Sequence, residues 1–206
     1  MQHALSLKSA FALPRQTFPA QVQAFVDEQY TSHDIILEYG SGGSTFLAAS
    51  QIHSQVMSVE NDRSWAENMR HGLQTHFPDA PVHLHYVDTG PTNKWGRPTA
   101  DQTFEQWRNF PKYALDIWDQ PFFKHPDLIL IDGRFRPACL LATMMRIERP
   151  VTVLFDDYVN RDRYHWIERF AKPTHTVSRM AKFDLVPTQW SKGELTKIVL
   201  AFSDCY

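Results

Sequence analysis

Apolar residues along the chain form short unbroken runs at Ile35–Leu37, Val56–Met57, Leu128–Ile131 and Val153–Phe155. These runs do not alternate with polar residues, so each reads as a strand buried on both faces of a sheet. Strands are expected near 34–39, 56–60, 82–88, 127–132 and 151–156, and helices near 44–52, 62–76, 135–147 and 161–171. An amphipathic helix over 18–30 precedes the first strand. Such alternation implies right-handed crossovers and a parallel sheet covered on both faces. The tail departs from it: residues 174–186 and 194–203 read as two strands joined through 187–193, a closing hairpin.

One segment breaks the rhythm. Thr89 to Pro126 is too long for a simple connection. It holds three of the six tryptophans (Trp95, Trp107, Trp118) together with Phe104, Phe110, Tyr113, Phe122 and Phe123. A helix is expected near 101–109, with Asp101 at its start. The segment reads either as a cap or pocket wall, or as a crossover helix packing its aromatics on the sheet. The whole chain, 1–206, is expected to be one domain, with an N-terminal helical segment over 1–33 and an aromatic-rich insertion over 89–126.

Chemistry gathers at the strand ends. Ile35 to Thr45 reads as a buried strand, an acid, a glycine turn and the start of a helix. Gly40 and Gly42 have no Cβ, so the backbone can turn sharply and approach a ligand. Ser44 or Thr45 can cap the helix that follows. A strand-turn-helix of this kind makes a small-molecule site at the carboxyl edge of a sheet. A dinucleotide fingerprint requires glycine at the sixth place of G-x-G-x-x-G, where this chain has Thr45. Glu38, two residues before the first glycine, would repel a pyrophosphate and attract a ligand carrying an ammonium and a sulfonium. That charge argument favours S-adenosylmethionine over NAD. About twenty residues further on, at the spacing of a ribose-binding acid, Glu60 ends the run Val56–Glu60. An acid there serves either cofactor, or caps the next helix beside Asn61 and Asp62.

With these motifs the chain resembles the class I S-adenosylmethionine-dependent methyltransferases, whose first motif is an acid, any residue and a glycine-rich turn. The resemblance runs from about residue 34 over nearly the whole chain. It implies an α/β, Rossmann-like, doubly wound fold: a seven-stranded, mostly parallel sheet with an antiparallel last strand and helices on both faces. It implies that Glu38, Gly40, Ser41, Gly42, Gly43, Ser44 and Glu60 hold the cofactor, and that Asp88, ending the third strand, lies near the adenine. A closing strand pair suits this family and not a pure NAD-binding domain. His83 and His85 share one face of the third strand. No further ligand stands at matching spacing, so they read as a packed or solvated face.

A second cluster follows Asp127–Ile131. Asp132 ends that strand, and Arg134 and Arg136 open the next helix. Cations at a helix N-terminus oppose its dipole. Either an anionic acceptor, a carboxylate or phosphate, balances them, or local acids such as Asp132 and Asp156 do. The next strand ends in Asp156 and Asp157. Asp132, Asp156 and Asp157 resemble the acids of catechol-type O-methyltransferases, which implies a divalent cation such as Mg²⁺ held there to acidify an acceptor hydroxyl. Asp157 stands where that pattern usually has asparagine. The alternative is that these acids hold Arg134, Arg136, Arg161 and Arg163. Without metal, the candidate proton acceptors are Asp132 and Asp157, then His165.

Asp132-Gly133-Arg134-Phe135 replaces the Asn- or Asp-Pro-Pro-aromatic motif of enzymes that methylate base amino groups. Net charge is −2 and no basic run stands out, which disfavours a nucleic-acid partner. The expected reaction is therefore methyl transfer to an oxygen of a small-molecule or sugar acceptor. The rivals are an NAD-dependent oxidoreductase and a non-catalytic nucleotide-binding module on the same fold. At 43% hydrophobic and 21% charged residues the chain is globular. No apolar run approaches a membrane span, the first residues lack a secretory core, and Cys139 and Cys205 make no disulfide framework. A cytoplasmic protein is expected, with Cys139 in a helix core.

Overall fold

The computed structural model describes residues 12–190 and 192–205. Helix α1 (Ala20–Thr31) leads into β1 (Ile35–Tyr39), α2 (Gly43–Ala49), β2 (Gln55–Glu60), α3 (Arg63–His76) and β3 (Val82–Tyr86). A short ribbon, β4 (Thr92–Asn93) and β5 (Arg97–Pro98), comes next. Then follow α4 (Phe104–Leu115), β6 (Leu128–Ile131), α5 (Arg136–Arg146), β7 (Val151–Phe155), β8 (His175–Val177), β9 (Met180–Leu185) and α6 (Leu195–Ala201).

The main sheet has seven strands in the order β3-β2-β1-β6-β7-β9-β8. The five strands from β3 to β7 are parallel neighbours, β9 runs antiparallel to β7, and β8 pairs antiparallel with β9. The direction of winding reverses between β1 and β6. Ligands of open α/β sheets bind in the crevice beyond the carboxyl ends of the strands at such a point.

Alternation along each strand divides the core in two. Ile36, Val56, Leu128, Leu130 and Leu154 face the side covered by Val22, Val26 and Tyr30 of α1. Leu37, Tyr39, Met57, Val59, Ile129, Ile131, Val153 and Phe155 face α4, α5 and α6. Each such side chain, fully buried, contributes about 1.5–3 kcal/mol. Glu38 shares the α1 face with Ile36, because residues two apart in a strand point the same way.

Most sequence-based boundaries hold within a few residues, and the differences have local causes. Helix α4 starts at Phe104, not at Asp101, because Thr103 caps it: its hydroxyl accepts from the Gln106 amide at 3.3 Å while the Gln106 side chain accepts from the Thr103 amide at 2.8 Å. Phe110, Tyr113 and Ala114 carry that helix into the core beside α5. The expected helix over 161–171 is a run of 3₁₀ turns, Asp162–Arg169.

The expected hairpin in the tail requires correction. The antiparallel pair is β8 with β9, turned at Ser178 and Arg179, with Ser178 in the left-handed region at φ 52°. Residues 195–201, expected as a strand, form α6. Its buried positions are Ile198, Ala201 and Phe202, spaced three and four apart, which is the period of a helix.

Candidate active site

A cavity of about 520 Å³ opens at the carboxyl ends of β1, β2, β6 and β7. Its size lies in the range of small-molecule sites. The glycine turn Gly40–Ser44, Glu60–Asp62, Trp65, Trp95, Gly96, Tyr113, Asp132–Arg134, Arg136, Asp157, Arg161, Arg179 and the segment 14–18 line it.

Two glycines shape the first wall. Gly40 adopts φ 101°, and a Cβ there would lie 2.6 Å from the Gly133 Cα. The ends of β1 and β6 thus meet backbone to backbone. Gly43 has a different partner: a Cβ there would lie 2.3 Å from the backbone of Arg15 and Gln16. The segment ahead of α1 lies across the turn and closes one side of the cavity.

The acids of this wall take only neutral donors. Glu38 is completely buried beneath the turn and does not line the cavity. It accepts from the Tyr30 hydroxyl at 2.6 Å and from Thr45 Oγ1 at 2.5 Å, and Thr45 Oγ1 in turn accepts from the Gly42 amide at 3.0 Å. Burial raises its pKa against the lowering effect of these hydroxyls. Glu60 lies on the wall. Its Oε1 accepts from the Asn61 and Asp62 amides at 2.7 and 2.9 Å, and its Oε2 from the amide and hydroxyl of Ser41 at 3.3 and 3.0 Å. Burial pushes its pKa up as well. Asp62 turns its carboxylate to cap α3 at the Trp65 amide, 2.9 Å away.

The opposite wall is built on charge. Phe135 stands in the left-handed region at φ 51°, which a bulky residue adopts at a cost of about 1–2 kcal/mol. Its ring is held between Phe110 and Tyr113, with centroids 5.1 and 5.3 Å away. This kink folds Arg136 back under the loop. Arg136 is buried and donates to the carbonyls of Asp132, Gly133 and Asp156, to Asp132 Oδ1 at 3.0 Å and to Asp157 Oδ2 at 3.2 Å. Arg179, from the β8–β9 turn, grips both oxygens of the fully buried Asp156 at 2.9 and 2.7 Å. It also reaches Asp157 at 3.2 Å, and Arg161 reaches Asp157 at 2.5 Å. Asp157 itself sits at φ 57°, which a short acid tolerates. Asp132 keeps 29% of its side chain open. Burial and the neighbouring Asp156 push its pKa up to about 7, while Arg136 opposes the shift.

No protein-family model matches the chain, and no curated protein does. Solved structures do. A methyltransferase-like protein from Silicibacter pomeroyi DSS-3 is 39% identical, with a TM-score of 0.85, and the match covers 93% of this chain and 98% of that one. The chain belongs to the class I S-adenosylmethionine-dependent methyltransferases. An O-methyltransferase from Bacillus cereus in complex with S-adenosylhomocysteine is similar at 17% identity and TM-score 0.55, over 84% of each chain. The O-methyltransferase TomG of Streptomyces achromogenes, in complex with S-adenosylmethionine, is similar at 15% identity and TM-score 0.54, over 83% of this chain and 82% of its own. At these identities the last two share the fold with this methyltransferase.

Several residues singled out from the sequence sit elsewhere. Asp88 lies outside the main cavity, pairs with Arg63 at 3.4 Å and borders a smaller cleft beyond β3. His165 Nε2 donates to the Tyr158 carbonyl at 2.9 Å and is not on the cavity wall. His83 stacks on Phe122 at 4.5 Å and His85 contacts Asp116 at 2.8 Å, a packed strand face. Of the other lining residues, Trp95 and Tyr113 belong to the aromatic segment read as a cap or pocket wall and Arg161 to the arginines read as partners of the acids, while Gly96 and Arg179 gave no sequence signal. Tyr30 did carry one, a hydroxyl at helical spacing from Val22 and Val26 on a buried stripe.

The catechol-type resemblance implies a divalent cation on Asp132, Asp156 and Asp157, whose oxygens do lie within 4.8 Å of one another. The surroundings do not fit one. Arg136, Arg161 and Arg179 contact these acids at 2.5–3.2 Å and already supply the positive charge a cation would bring. A hard cation needs several oxygen ligands free to face it. Among the described residues no helix is long and apolar enough to cross a membrane.

Proposed function

We propose that this methyltransferase moves a methyl group from S-adenosylmethionine to a hydroxyl oxygen of a small-molecule acceptor, with Asp132 taking the hydroxyl proton. The observation that carries the reading is the position of Asp132. It stands across the cavity from Glu60, partly open, with one oxygen held by Arg136. Asp157 is only 11% exposed and answers to three guanidinium groups, so it is poorly placed to accept a proton. His165 does not reach the cavity.

The Gly40–Ser44 turn and Glu60 would hold the cofactor, with the acids of β1 and β2 providing the negative field that a sulfonium requires. When bound, S-adenosylmethionine supplies a methyl group on a good leaving group. The chain's own residues then do two things. The walls formed by 14–18 and Tyr113 position the acceptor and exclude water. Asp132, with a pKa near 7, stands close to the pH at which a general base is most effective. The naming of the two remote structural neighbours as O-methyltransferases supports oxygen as the receiving atom.

Calorimetric titration with S-adenosylhomocysteine, with NAD as control, tests the reading. Micromolar binding of the homocysteine compound is expected, and Glu60→Ala should weaken it by at least about tenfold, or about 1.4 kcal/mol. Binding of NAD with no binding of S-adenosylhomocysteine would overturn it.

A further inference from the structure

The acceptor end of the cavity holds more positive charge than its acids neutralise. Arg134, Arg136, Arg161 and Arg179 line it, against Asp132 and Asp157 on the wall and Asp156 beneath. Three of the four guanidinium groups are spoken for by these three carboxylates. The fourth, Arg134, has no ion pair among the described residues. Its backbone amide donates to the Tyr113 hydroxyl at 3.2 Å, but its buried Nε has no hydrogen-bond partner. Buried donors are nearly always paired, and here the neighbour is another cation, Arg136, which disfavours the charge of Arg134 further.

The rim adds donors. Arg161 and Arg179, which line the same cavity as Arg134, keep 32% and 28% of their side chains exposed. A guanidinium fork matches the two oxygens of a carboxylate or the several oxygens of a phosphate. Nothing at the opposite end is comparable, since Glu38 and Glu60 are satisfied by amides and hydroxyls.

We propose that Arg134, flanked by Arg161 and Arg179, is an anion-binding subsite that takes a carboxylate or phosphate group on the acceptor and so presents the acceptor's hydroxyl to Asp132. The substrate class is thus a hydroxylated organic acid or phosphate ester. This rests on the methyl-transfer reading above.

Calorimetry on the full chain tests it, with S-adenosylhomocysteine titrated first and inorganic phosphate, malonate and MgCl₂ then titrated separately. Phosphate or malonate should bind the loaded protein, and the tighter of the two identifies the anion. Arg134→Gln should weaken that binding by at least about tenfold while leaving the affinity for S-adenosylhomocysteine within about twofold; Arg134→Lys, which keeps the charge, should retain part of it. Mg²⁺ should give no binding heat. The proposal is overturned if neither anion binds the loaded protein, if Arg134→Gln binds them as well as the parent chain does, or if Mg²⁺ binds stoichiometrically. A protein that binds the anions but not S-adenosylhomocysteine would keep the subsite and sink the methyl-transfer reading.

Discussion

The two ends of the cavity solve the same problem in opposite ways. Each must bury carboxylates at the tips of parallel strands. At the β1–β2 end, Glu38 and Glu60 are held by hydroxyls and backbone amides, which offset part of the burial that raises both pKa values and bring no opposite charge. At the β6–β7 end, Asp132, Asp156 and Asp157 are held by guanidinium groups, and the balance tips positive. A site for a cationic cofactor and a site for an anionic acceptor can therefore stand side by side at one sheet edge. The sign of each follows from its donors, not from its acids.

The contrast can be broken most severely at Asp132. Asp132→Asn should lower kcat/KM by about 10²–10⁴-fold in a methyl-transfer assay while S-adenosylhomocysteine affinity stays within about twofold. In the parent protein the rate should rise as pH climbs through about 7, because the base must lose its proton, and the variant should lack that rise. Stability runs the other way. A carboxyl whose folded pKa lies above its unfolded value holds its proton longer in the native state. The stability it contributes is present below about 4 and is lost as pH rises through about 7, a fall that urea titrations of Asp132→Asn should show flattened.

Next in size, Arg136→Ala should cost about 3–5 kcal/mol in urea unfolding, since it removes a buried guanidinium from the buried Asp157 and the partly open Asp132. At the neutral end the same kind of deletion should be milder. Tyr30→Phe removes one hydroxyl from Glu38 and should cost about 1–3 kcal/mol. Ser41→Ala should cost less than about 1 kcal/mol, because the Ser41 amide still reaches Glu60. If Tyr30→Phe and Arg136→Ala cost the same, the distinction between neutral and charged donors fails.

How much of this was legible in the chain depended on range. The strands, the glycine turn and the acids at the strand tips follow from local pattern, because doubly buried strands force continuous apolar runs and sharp turns force glycine. The partners of those acids do not. Arg179 reaches Asp156 from a turn 23 residues away, and nothing near either residue announces the pair. The family resemblance assigns Gly43 to the cofactor, yet its absent side chain also makes room for Arg15 and Gln16. Glu38 reads as a pocket acid, and only strand alternation against α1 shows that it faces inward. The tail misled because Leu195 to Phe202 is short and rich in β-branched and apolar residues, which is where strand and helix signals overlap.

The contact between Gly40 and Gly133 reaches beyond this one molecule. Two backbones that touch leave no side chain to trim, so a larger residue at one position has no compensating change at the other. Among related chains both glycines should be kept wherever the two strand ends meet in this way. A descendant that gave up only one would have to part β1 from β6 and, with them, the two halves of the site.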